Sequence, residues 1–285
     1  MFKTLVILFI VAIVAVLLYN AVTGVESKKT TTNKIKKAKA EKKKTITPET
    51  KKEVVETDNQ TEWIPPIITD ILEKYSKPKA TQASLAENIE QIGGKIGDAV
   101  FVRIFKKEAE LEVWMRSGTN GNDQFSLIQT YPICAYSGDL GPKLREGDGQ
   151  SPEGFYYVKK RQLNPNSNFH LAFNIGYPNR YDRAHKRTGS FIMVHGSCAS
   201  IGCYAMTDNK IEEIYELVEE ALTQGQGFVR VHIFPFRMSD EAMIEYQTGK
   251  WYSFWKNLQE GYRLFEESKI PPNVNVRGKS YIFGS

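Results

Sequence analysis

Two residues eight positions apart, His195 and Cys203, carry the chemistry that this chain could do. A thiol becomes a strong nucleophile when a neighbouring base takes its proton. Phe191-Ile192-Met193-Val194 reads as a buried strand that delivers His195 to a sheet edge, where Gly196 follows. Gly202 precedes Cys203, and Thr207-Asp208 supplies a helix N-cap soon after. A helix N-terminus aimed at the sulfur would favour the thiolate. Three other readings stay open on spacing alone. The cysteines could be small core residues. Cys198 and Cys203 could pair as a disulfide, which would consume the nucleophile. His195, Cys198 and Cys203 could also be zinc ligands, although their spacing matches no common ligand pattern and a fourth ligand is not apparent. The third cysteine, Cys134, lies in Tyr131-Pro132-Ile133-Cys134-Ala135-Tyr136 and reads as a structural strand residue. An odd number of cysteines leaves at least one thiol free.

Periodicity indicates the elements that would hold this pair. Val100, Val102 and Ile104 alternate with Phe101, Arg103 and Phe105. A turn over Lys106–Ala109 leads to a second alternating run at Leu111, Val113 and Met115, which predicts a hairpin. Further strands are expected at 125–135, 154–159, 169–174, 191–195 and 227–234. Residues 138–154 have turn chemistry throughout and read as a long loop. Ile211, Ile214, Leu217, Val218, Ala221 and Leu222 recur at helical spacing. Weak helical patterns occur at Ile67–Tyr75 and Ser84–Ile92, the latter ended by Gly93-Gly94. From Ser239 a helical stretch breaks near Gly249 and resumes over Trp251–Glu267. Its aromatic residues predict packing against the sheet, with a sugar-stacking surface as the alternative.

Composition separates the chain into parts. It has 285 residues with 38 Lys/Arg and 33 Asp/Glu. Residues 1–60 hold 12 of the basic and 6 of the acidic groups, which leaves 26 basic and 27 acidic in the remainder. The folded part is therefore near neutral and shows no nucleic-acid footprint. Phe2 to Val22 is apolar apart from Lys3 and Asn20, close to the length of a membrane helix. This predicts an uncleaved inner-membrane anchor through residues 2–22, with a cleaved signal peptide as the alternative. Residues 25–60 cannot bury enough apolar surface to fold and read as a Lys-rich tether. Its nine lysines between Lys28 and Lys44 would place that flank in the cytoplasm by the positive-inside rule. They could equally solubilise a linker or meet anionic lipid headgroups and wall polymers.

The strings Gly147-Asp148-Gly149-Gln150-Ser151-Pro152-Glu153-Gly154-Phe155-Tyr156, Phe169-His170-Leu171-Ala172-Phe173-Asn174-Ile175-Gly176-Tyr177-Pro178-Asn179, Tyr181-Asp182-Arg183-Ala184-His185 and Ile201-Gly202-Cys203-Tyr204-Ala205-Met206-Thr207-Asp208 resemble the L,D-transpeptidase catalytic-domain family (YkuD type) and its YafK-like branch. The wider family has Ser/Thr-His-Gly-Cys. This chain has Ser200-Ile201-Gly202-Cys203 and a shorter spacing from the first histidine, both shared with the branch.

The resemblance implies an α+β, mainly β fold. It would have a sandwich or barrel-like catalytic core at 98–237, a membrane anchor or signal at 1–24, the tether at 25–60, a helical lead-in at 61–97 and a helical, aromatic-rich extension at 238–285. It implies a periplasmic murein enzyme that needs no cofactor and no metal. Cys203 would be the nucleophile and His195 the general base and acid. The Gly196 carbonyl would orient the imidazole, and backbone N–H groups of Cys203 and of Gly202 or Tyr204 would form the oxyanion hole. His170, Tyr177, Arg183 and Arg187 precede the dyad. An arginine there could pair with a stem-peptide carboxylate, or could be a structural ion pair. Implied partners are peptidoglycan stem peptides and wall-linked outer-membrane lipoprotein. The implied outcomes are transpeptidation, amidase release of a linked protein or carboxypeptidase trimming; a non-catalytic wall-binding module is the alternative.

Overall fold

The computed structural model describes residues 84–116 and 123–284. The expected anchor, tether and Ile67–Tyr75 helix lie outside them. Among the described residues, no helix is long and apolar enough to cross a membrane.

Two mixed sheets and a few helices make an α+β fold. The larger sheet has the order β3-β2-β1-β9-β4. Its strands are β1 (Val100–Phe105), β2 (Glu110–Arg116), β3 (Phe125–Pro132), β4 (Gly154–Val158) and β9 (Val229–Phe234). The smaller sheet has the order β5-β6-β7-β8, built from β5 (Leu163–Ser167), β6 (His170–Asn174), β7 (Met193–His195) and β8 (Tyr204–Ala205). β1 and β2 form the expected hairpin, with Val102 opposite Val113.

The alternation in β1 has a cause that periodicity alone does not reveal. Val100, Val102 and Ile104 face one core together with Val113, Val231 and Ile233. That core also holds Ile211, Ile214, Leu217, Val218 and Ala221 of the helix α3 (Asp208–Thr223), which contacts strands of both sheets. Phe101 and Phe105 point the other way, so every residue of β1 is buried. The second face is covered by the C-terminal helix α5 (Tyr252–Ser268) and by a hairpin of β10 (Asn273–Arg277) and β11 (Ser280–Gly284). Phe254, Trp255, Leu258 and Phe265 of α5 are buried against aromatic residues of the sheet. Those side chains pack; they do not form an open stacking surface. Each such buried side chain contributes about 1.5–3 kcal/mol by leaving water.

Residues 238–285 were expected to be helical, yet they end in the β10–β11 hairpin. Val274, Val276, Tyr281 and Phe283 alternate toward the aromatic core, at a period of two. β5, β8 and the short helix α2 (Arg180–Ala184) are further elements that periodicity did not predict. α2 depends on a local device, the reciprocal capping box of Asn179 and Asp182. The same device starts α1 (Leu85–Gln91), where Ser84 and Glu87 cap each other. α4 (Asp240–Glu245) begins at Ser239, whose hydroxyl accepts from the Ala242 N–H.

Candidate active site

The smaller sheet sets the histidine and the thiol on neighbouring strands. β7 and β8 run parallel, with Val194 beside Tyr204 and His195 beside Ala205. Cys203 therefore enters β8 next to Met193, two residues before His195 on the neighbouring strand. The Met193 N–H donates to Cys203 Sγ at 3.4 Å, and the thiol reaches the Phe191 carbonyl at 3.8 Å.

His195 is 3% exposed. Its Nδ1 lies 2.6 Å from the Gly196 carbonyl oxygen. A carbonyl can only accept, so Nδ1 carries the proton and Nε2 presents a lone pair. Phe169 lies against the imidazole at 4.8 Å between ring centroids. Gly196 is required by contact, because a Cβ there would stand 2.6 Å from Asp208 Oδ1 and 3.0 Å from the Phe169 carbonyl. Gly202 is required by conformation, with φ at 139°. Phe191, Ser197, Cys198 and His170 also have positive φ, so unfavourable backbone geometry concentrates around the pair.

Burial lowers the His195 pKa below the usual histidine value, partly opposed by the Gly196 hydrogen bond. Burial raises the Cys203 thiol above its usual value; the Met193 N–H and the Lys143 charge act in the opposite direction. Both effects favour a neutral thiol beside a neutral imidazole. The helix at Thr207-Asp208 does not reverse this. Asp208 Oδ1 accepts from the Ser197 N–H at 2.8 Å, which sets a carboxylate of the first helical turn on the turn that follows His195.

The cysteines pair in a way that the sequence alternatives did not include, while the expected free thiol remains. Cys134 is bonded to Cys198, with Cα atoms 5.2 Å apart, and Cys203 is free. Cys198 pairs outside the motif, and its sulfur is no longer a thiolate that could hold zinc. The bridge fastens the chain after β3 to the turn between His195 and Cys203.

The other predicted residues take varied places. Arg187 is buried, donates to Asp182 Oδ1 at 2.9 Å and lies over the Tyr181 and Phe254 rings. It takes the structural alternative. Arg183 donates to the Pro178 carbonyl. Tyr177 is buried and its hydroxyl donates to the Lys143 carbonyl at 3.1 Å. His170 is exposed and meets Glu212 at 2.6 Å. Tyr204 is fully buried in β8, its hydroxyl on the Pro152 carbonyl at 2.7 Å. The Gly202 N–H donates to Ser200 Oγ at 3.2 Å.

Sequence reasoning missed three residues at the site. Ser151 Oγ and Ser200 Oγ both donate to the Cys203 carbonyl, at 3.1 and 2.8 Å. Lys143 is buried and paired with Asp148 at 2.5 Å. Lys143 and Ser151 lie in the long loop expected at 138–154, and Ser200 in the turn before Cys203; polar residues of such segments carry no period from which partners can be read.

A strand-delivered histidine, a free thiol at the start of the neighbouring strand and a close-packed glycine turn between them make a candidate cysteine–histidine site on an α+β scaffold. The family model of the L,D-transpeptidase catalytic domain (YkuD) matches residues 99–233, and the chain belongs to that family. The YafK protein of Escherichia coli K12, whose name carries a provisional L,D-transpeptidase designation, is 46% identical over 187 residues, covering 66% of this chain and 74% of the relative. Its counterpart from strain O157:H7 matches equally. Among solved structures, the K307A mutant of the helical cell shape determining protein Pgp2 from Campylobacter jejuni gives a TM-score of 0.39 at 22% identity, covering 66% of this chain and 65% of that one. Bd1075 of Bdellovibrio bacteriovorus gives 0.36 at 19%, covering 63% and 77%.

Proposed function

We propose that this cell-wall enzyme acts on peptidoglycan stem peptides through a Cys203 acyl-enzyme. The observation that carries the reading is the His195 Nδ1–Gly196 carbonyl bond, which leaves Nε2 as the basic nitrogen, on the strand neighbouring the one that the free thiol enters. In this reading Nε2 takes the Cys203 proton as sulfur attacks the peptide carbonyl, then returns it to the leaving amine. The Cys203 N–H is the preferred oxyanion donor, because the Gly202 N–H is directed at Ser200 and Tyr204 is a buried strand residue. The acyl group passes to an amine in transpeptidation or to water in release of a linked peptide or lipoprotein.

A periplasmic site, with residues 2–22 as its inner-membrane tether, is part of the same proposal. The Cys134–Cys198 disulfide supports it, since such bonds persist in oxidising compartments. The test is incubation with purified muropeptides and with lipoprotein-linked sacculi, read by mass spectrometry, beside Cys203→Ala. Dimers joined between two diamino acids identify a transpeptidase, released linked peptide an amidase, and loss of terminal D-alanine a carboxypeptidase. Silence from wild type on every substrate, or equal turnover by Cys203→Ala, would overturn the thiol-enzyme reading.

A further inference from the structure

The long loop between β3 and β4 closes on a charged centre, made with Lys106 just after β1, that the proposed chemistry does not use. Lys106 and Glu153 are both fully buried and meet at 3.2 Å. Burying such a pair costs several kcal/mol per ion unless each polar atom is matched, and here they are matched closely. The Lys106 ammonium donates to the carbonyls of Asp139, Gly141 and Ser151 at 2.7, 3.0 and 3.1 Å. Glu153 Oε1 accepts from the Gly141 N–H at 2.6 Å, and Oε2 accepts from the Trp255 indole N–H at 2.8 Å. One centre thus binds both ends of the loop to β1 and to α5.

The loop's contact with the nucleophile leaves from that centre. Ser151, whose carbonyl Lys106 holds, turns its hydroxyl to the Cys203 carbonyl at 3.1 Å. Ser151 is itself fully buried, and its N–H donates to the Ser137 carbonyl at 2.9 Å. Its neighbour Pro152 accepts from the Tyr204 hydroxyl. Ser200, the other donor to the Cys203 carbonyl, belongs to the nucleophile's own turn and moves with it. Ser151 ties that turn to a rigid part of the fold.

We infer that Ser151, held by the buried Lys106–Glu153–Trp255 centre, is a positioning residue that fixes the Cys203 turn so that the sulfur stays on the Met193 N–H. The catalytic consequence rests on the function proposed above; the effect on the thiol does not. Loosening the turn would weaken the one backbone hydrogen bond that stabilises the thiolate. It would also blur the alignment on which attack depends.

The test compares wild type with Ser151→Ala, which removes a single oxygen, and Trp255→Phe, which removes the N–H that Glu153 accepts. Cys203 is the only free cysteine, so iodoacetamide alkylation of the folded protein followed across pH reports on that sulfur alone. Alkylation at pH 7.5 is expected to slow roughly threefold or more in each variant, the scale of one lost hydrogen bond, with its pH midpoint moved upward. If the muropeptide assay shows turnover, kcat falls with alkylation while KM holds. A purely structural role would lower the melting temperature and leave alkylation of the folded protein unchanged; that result in both variants would overturn the inference. Absent turnover with slowed alkylation would count against the proposed function and leave the positioning role standing.

Discussion

At the residue scale the site rests on which groups are neutral. His195 titrates below its usual value and Cys203 above its own, each mainly because burial disfavours charge. A preformed thiolate–imidazolium pair would alkylate readily near pH 5. Here alkylation is expected to stay slow there and rise through a midpoint above the ordinary cysteine value; a plateau already present at pH 5–6 would contradict the neutral pair. Gly196 offers a second check. A methyl group there must displace the Asp208 carboxylate that holds the Ser197 N–H. Gly196→Ala is expected to destabilise by about 1–3 kcal/mol, the range for overpacking, and to slow Cys203 alkylation, seen by melting curves and the same reagent. The strand that carries His195 could be read from residue order. Ser151 could not, since a serine in a loop shows its partner only after folding.

At the element scale the least regular parts do the positioning. β7 has three residues and β8 two, and neither could hold a register alone. The Cys134–Cys198 bridge closes a 64-residue separation across them. Chain-entropy arguments give such a cross-link about 2–4 kcal/mol. Cys134→Ser with Cys198→Ser is expected to lower the melting temperature by roughly 5–15 °C, and an unchanged transition would mean that the turn is held without the bond. Long amphipathic elements were legible because burial imposes a period: α3 and the β1–β2 hairpin fall where the pattern placed them. β8 escaped because two residues show no period. β10 and β11 escaped because tyrosine, phenylalanine and valine in a short tail suit a helix face and a strand face about equally.

For the whole molecule, the C-terminal extension completes the core. Phe155 of β4 lies 4.8 Å from the Tyr281 ring and 5.4 Å from Phe283. Gly261 of α5 sits so close that an added Cβ would be 2.5 Å from Phe283 and 2.6 Å from Phe155. Removing residues 270–285 would bare that face, and the truncated chain is expected to aggregate or lose its cooperative melt by calorimetry. His232 gives the molecule a pH dependence. It lies between Phe101 and Phe155 at 4.7 Å from each, and burial holds its pKa well below the usual histidine value, with Arg230 and Arg103 adding to the effect. Below about pH 6.5 the unfolded chain takes up a proton that the native state refuses, so stability falls as pH falls, by up to about 1.4 kcal/mol per pH unit for this group. His232→Phe should flatten the melting temperature between pH 7 and 5; an unaltered slope would assign the dependence elsewhere. Composition foretold a near-neutral folded part with enough apolar residues for a core. It could not foretell that both faces of one sheet would be covered.

Three thiols can form three single pairings, and two of them take Cys203. Only the partner choice seen here, Cys134 with Cys198, leaves Cys203 free. The competing Cys198–Cys203 loop is far shorter and easier to close. The quality of any sample is therefore a question of isomers: a folded molecule with the wrong bridge has the same mass and still one free thiol, but at Cys134 or Cys198, with Cys203 tied up. Alkylation of the oxidised protein followed by peptide mapping counts the fraction whose labelled cysteine is Cys203, and specific activity should scale with that count.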